Sequence, residues 1–318
     1  MNTRKLLGFG LATAGVFATT LLADVKPADA FVVHNGWNYT MDAYNDSTPI
    51  KKDGSGLFEI RGAAHKVIGD TVVFAVNSNV ELENGVDWNR AADKKIHFSD
   101  LLINFTGKSL DQANGDLFAV NFAANGDSDA GVLGGVGVYS NVTAKSVAKS
   151  NNGWGKLKSY NKYVQKKGIT VTHGELDSRG RLADGTTFEN GTRSNGTIKT
   201  TDQYFNHNKN TVNVIDSGTK IGDIEYIEDL TNLGLDFEHF GNVGSETIAF
   251  SFDLGLFPSD AVEAMFHFAM ECNNDIVAGR MNLEPGATEV PTPAAILPVI
   301  LGMFGAASRK KDVEVVDS

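Results

Sequence analysis

The most specific chemical signal in this chain is a run of alternating oxygen side chains. Asn125, Asp127 and Asp129 stand at every second position of Asn125-Gly126-Asp127-Ser128-Asp129-Ala130-Gly131. In a turn, that spacing lets side chains curl around one hard cation, and calcium takes oxygen ligands of this kind. The rest of an EF-hand loop is missing, because its sixth position is Ala130 and its twelfth is Val136. A solvated acidic turn is the competing reading. Two other acidic groups, Asp42/Asn45/Asp46 and Glu271/Asn273/Asp275, read as turn or strand caps ahead of ligand sets. Calcium at Asn125, Asp127 and Asp129 is therefore the one cofactor that the residues favour.

Local catalytic motifs do not emerge. Gly54-Ser55-Gly56 is too compact for a nucleophile elbow. The seven histidines are scattered, without the i, i+4 pairing of a helical zinc site. The single cysteine, Cys272, permits neither an internal disulfide nor a multi-cysteine zinc site. It reads as a small buried hydrophobe. The Gly-rich run 131–137 lacks the Lys-Ser/Thr of a phosphate loop and reads as a loop entering a strand. Trp37, Tyr39, Trp88 and Trp154 are candidates to stack on sugar rings, although core or rim packing is the commoner use of such residues.

The elements that must position these residues are mostly strands. Segments 57–63, 71–77, 95–105, 116–123, 135–142, 247–253 and 264–278 carry alternation or β-branched runs. The last is preceded by a short helix at 259–263. Asp53-Gly54, Asn84-Gly85, Asn114-Gly115, Asn125-Gly126, Asn190-Gly191 and Asn195-Gly196 supply turns. No amphipathic helix of normal length stands out, and 173–210 reads as long loops or an irregular hairpin. The fold class expected is all-β, an antiparallel β-sandwich of Greek-key or jelly-roll type, spanning 31–279. A linker at 280–290 follows.

The two ends read as addresses. Arg4 and Lys5 precede an apolar stretch, and Pro27-Ala28-Asp29-Ala30 supplies an Ala-x-Ala site, so 1–30 is expected to be a signal helix cleaved by signal peptidase after Ala30. At the other end, Pro291-Thr292-Pro293 leads into an apolar stretch closed by Arg309, Lys310 and Lys311, with a polar tail at 312–318. As a helix, that stretch reaches roughly 21 Å, against about 30 Å of hydrocarbon. It fits a transient membrane stop, with its basic end on the cytoplasmic side. The formal net charge of −11 argues against nonspecific nucleic-acid binding, which needs clustered Lys and Arg.

Proline motif, short apolar helix and basic cluster together resemble the PEP-CTERM sorting signal, segment 291–311, with Thr292 in place of its glutamate. The Pro-Thr-Pro-Ala form is similar to one in cyanobacterial proteins. The resemblance implies processing by exosortase, a membrane transpeptidase-like protease. Segments 37–46, 137–146, 249–253, 256–258 and 271–275 also resemble a group of exosortase-dependent cyanobacterial surface proteins. The expectation is an exported, non-catalytic surface or matrix protein with a structural or adhesive role and surface polysaccharide as its partner. A secreted glycan hydrolase or lyase and a calcium-dependent binding module are the alternatives.

Overall fold

The computed structural model describes residues 32–169, 204–206, 208–241 and 243–284, and the backbone of short strands at 172–173, 176–177, 188–189 and 192–193. Ala28, Ala30, Pro291, Thr292, Pro293, Arg309, Lys310 and Lys311, and with them both helices expected at the ends, lie outside the described residues. Asn190-Gly191 and Asn195-Gly196 lie outside as well.

The expected antiparallel sandwich is what forms. One sheet contains β1 (Val32–His34), β2 (Trp37–Met41), β3 (Ile60–Ile68) and β4 (Thr71–Ser78). The other contains β5 (Leu101–Asn104), β6 (Leu117–Asn121), β7 (Gly137–Lys145) and β8 (Val214–Gly222). The chain then returns to the first sheet as β9 (Glu225–Tyr226) and β10 (Glu246–Asp253). It ends in the second as β11 (Glu263–Ala269) and β12 (Ile276–Asn282). The strand orders are β1-β2-β3-β4-β10-β9 and β8-β7-β6-β5-β11-β12, with every pairing antiparallel. The return of β11 to lie beside β5 gives β11-β5-β6-β7, the Greek-key order.

Alternation assigns the faces. Val72, Phe74 and Val76 of β4 and Ile248, Phe250 and Phe252 of β10 point inward. They meet Ile103, Val120, Phe266 and Phe268 from the opposite sheet in one buried core. Phe74 packs edge-on against Phe266 with ring centroids 5.4 Å apart, and Phe122 stacks on Phe250 at 5.0 Å. Each such ring is worth about 1.5–3 kcal/mol of burial.

Both sheets are also covered outside, which is why 71–77 is apolar at both parities. Val73, Ala75 and Ala249 pack beneath Phe237 and the leucines of the segment between β9 and β10, and Trp37 Nε1 donates to the Leu233 carbonyl at 2.8 Å. Over the second sheet lies α1 (Leu157–Lys166). It buries Leu157, Tyr160, Asn161 and Val164, the i, i+3, i+4, i+7 stripe of an amphipathic helix.

The structure thus corrects the expectation that no such helix exists. Its many lysines and sparse apolar positions hide the stripe in the sequence. Two smaller differences concern the end of the domain. Residues 259–262 form a turn and a short link into β11, with no helix, and 264–278 is two strands joined at a turn. β12 runs to Asn282, paired with Glu263, and Leu283 is buried, so the sandwich extends past residue 279. Among the described residues no helix is long and apolar enough to cross a membrane.

Candidate binding cleft and acidic centre

Asn125, Asp127 and Asp129 are held by three different partners. The Asn125 amide donates to the Glu83 carbonyl at 3.2 Å, Asp127 Oδ2 accepts from the Asn151 amide at 2.7 Å, and Asp129 Oδ2 pairs with Lys145 Nζ at 2.6 Å. Gly126 is there for space. A Cβ on it would come within 2.7 Å of Glu271 Oε1. The Glu271 carboxylate accepts main-chain N–H groups from His97, at 2.8 Å, and from Asp127. Burial pushes it up to about 8.

The carboxylates that converge are Asp42, Asp46 and Asp275, with one oxygen from each inside a 4.8 Å sphere of mutual distance. They come from both of the acidic groups that read as caps. Asp42 and Asp46 lie on the segment leaving β2, and Asp275 on the turn between β11 and β12. The remaining members point elsewhere. The Asn45 amide donates to the Lys52 carbonyl, and the Asn273 amide donates to the carbonyls of Trp154 and Thr211.

Asp275 is fixed by the main-chain N–H of Ile60 at 2.7 Å and of Ile276 at 3.0 Å. Asp46 is wholly buried, and neither of its carboxylate oxygens has a hydrogen-bond partner. The Tyr160 hydroxyl donates to the Asp46 main-chain carbonyl at 2.9 Å and stands close enough to the carboxylate to act on it weakly. Glu59 stands beside them, accepting from Ser47 Oγ at 2.6 Å, with the Arg61 guanidinium 3.8 Å away. Burial first, then the neighbouring charges of Asp42 and its companions, hold Asp46 and Asp275 well above the usual carboxylate range. Tyr160 opposes that shift at Asp46 only in part. Burial also raises Glu59, to about 7.

Above this centre, at the same end of the sandwich, is a cleft of about 350 Å³. Its walls include Trp88, Trp154, Tyr163, Arg90, Asn152 and Thr48, and Pro49 and Asn274 close it. The Trp154 and Tyr163 rings lie 5.2 Å apart, tilted by 40°, and the Arg90 guanidinium sits 6.0 Å from the Trp88 ring. Trp154 Nε1 donates to Thr48 Oγ1 at 2.8 Å. Gly153 lets the strand-end turn reach this position: any Cβ there would strike the Cys272 carbonyl at 1.7 Å. Trp37 and Tyr39 are fully buried in the outer core of the first sheet, so of the four aromatics the sequence offers for stacking, Trp88 and Trp154 remain. Tyr163 was hidden with its helix.

A second ligand-type group lies on the first sheet. His34 Nε2 is 3.2 Å from Asp236 Oδ2, and the His34 and His239 rings stack at 3.7 Å and 10°. An imidazole lone pair lies in the ring plane, so parallel rings leave a shared metal out of plane for both. Comparison with protein-family models, with curated proteins and with solved structures finds no match to this chain.

Proposed function

We propose that this chain is an exported, exosortase-sorted surface or matrix protein whose sandwich binds glycan, in a structural or adhesive role, through the cleft of Trp88, Trp154 and Tyr163. The observation that carries the reading is the composition of that cleft. Three half-buried aromatic rings give apolar faces for sugar C–H groups. Arg90, Asn152 and Thr48 give polar edges for hydroxyls, and Asn274 adds an amide. Ligand sites combine apolar walls with a few convergent polar groups in this way. The residues described as lining the cleft include no carboxylate, and paired carboxylates are what glycoside hydrolysis commonly uses. Binding is thus favoured over cleavage.

Export and sorting rest on the two terminal patterns, and the polysaccharide of the producing cell's own surface is the expected ligand. The test is binding of the purified protein to that polysaccharide and to a panel of neutral and acidic glycans. Arg90→Ala at the surface and Tyr163→Ala at the margin of the second core should each weaken binding about tenfold, the scale of one lost stacking contact. Binding that ignores both substitutions would remove the cleft from the reading.

A further inference from the structure

We infer that Asp42, Asp46 and Asp275 form a calcium site, with Glu59 as a supporting charge, at the base of the cleft end of the sandwich. Three features meet here. Oxygens from three carboxylates share one point, within 4.8 Å of one another. Asp46 is fully buried with both carboxylate oxygens unpartnered, although buried polar groups are otherwise almost always hydrogen-bonded. Among the described residues, the neighbouring Arg61 guanidinium donates to the carbonyls of Tyr44 and Gly54 and pairs with Glu59. Like charges left together out of water demand either protons or a cation.

The donor set chooses the cation. All three groups offer hard oxygen and none offers nitrogen or sulfur, which disfavours zinc and copper. Magnesium dehydrates reluctantly and usually keeps several waters, whereas calcium accepts a cage of carboxylates. Two of the three ligands here, Asp46 and Asp275, are buried, which favours calcium. The third, Asp42, is partly exposed.

The placement gives the ion a mechanical task. The Asp42–Asp46 segment runs on into Thr48 and Pro49, and Asp275 follows Asn274, all of them cleft residues. The ion therefore ties two walls of the cleft to each other and to the start of β3 through Ile60. Only this coupling rests on the glycan reading. The ion site stands without it.

The experiment uses the whole protein, stripped with chelator, and no glycan. Calcium titration by calorimetry should show one site with Kd no weaker than about 10⁻³ M. Saturating calcium should raise Tm by about 5 °C, with a smaller effect from magnesium. Asp46→Asn should melt higher than wild type in chelator, since it removes a carboxyl that costs free energy to bury either charged or protonated, and should lose the calcium shift. Should that variant fail to fold, wild-type protein with terbium supplies the second readout. Emission sensitised by Tyr160 or Trp154, and displaced by calcium, places the ion beside Asp46. No heat and no shift at about 10 mM calcium, an undiminished shift in Asp46→Asn, or terbium emission that calcium leaves unchanged would each overturn the site. Intact calcium binding with no glycan binding would retire the cleft and leave the ion.

Discussion

Single residues in this protein are decided by whether burial comes with a partner. His267 is fully buried with both ring nitrogens engaged, Nδ1 by the Tyr204 hydroxyl at 3.0 Å and Nε2 by the Val212 carbonyl at 3.0 Å. The carbonyl requires an N–H on Nε2, so Nδ1 accepts from tyrosine. Burial lowers this imidazole from 6.5 to about 4. The unfolded chain thus takes the proton first as pH falls. The stability that His267 contributes is complete above pH 6.5 and drains away toward pH 4, by roughly 3 kcal/mol in all. His267→Gln should flatten that acid limb in urea-unfolding midpoints measured from pH 7 to pH 4. An unchanged limb would mean that another group sets it. His65, lowered to about 3 by its own burial, adds a limb of the same sign that persists in the variant.

Elements here are chosen by what covers them. α1 contributes only Leu157, Tyr160 and Val164 as apolar buried side chains, yet these close the outer face of the second sheet over Ile215, Tyr139 and Ala278. Tyr160 on this helix also reaches the segment that carries Asp46. Leu157→Ala should cost about 2–4 kcal/mol in denaturant unfolding. It should also reduce any glycan affinity, since Tyr163 rides on the same helix. A cost under ~0.5 kcal/mol would show that the helix is an ornament on the sheet. Strands such as β4 and β10 were legible because their β-branched and aromatic runs are long. β8 was not, since its sequence Val-Ile-Asp-Ser-Gly-Thr-Lys-Ile-Gly shows little alternation and its pairing with β7 carries register shifts.

At the scale of the whole molecule, the sandwich is closed on both outer faces and opens its loops at one end, where cleft and acidic centre coincide. The address proposed for it, a cell surface reached by export and C-terminal sorting, belongs to this scale. Intact mass and cell-fraction location of the protein from its native host test this address. A chain beginning at Phe31 and ending near Pro293 is the expected result. A mass that keeps 294–318 would make the tail a plain anchor and withdraw the exosortase reading.

The sequence by itself determined the class of fold, most of the long strands and several turns, because alternation and Asn-Gly or Asp-Gly pairs act over a few residues. Gly54, Gly85 and Gly115 adopt the positive φ that those pairs foretold, and Gly126 does not. It also supplied Trp88 and Trp154 as candidates. It could not choose among its acids. Asn125, Asp127 and Asp129 have the better spacing, but each is claimed by a separate partner. Asp42 and Asp46 meet Asp275 only because β2, β3 and the β11–β12 turn end at one edge of the sandwich. Local spacing records what a turn can reach. Convergence across two hundred residues is a property of sheet order, and so is the burial that leaves Asp46 without a partner.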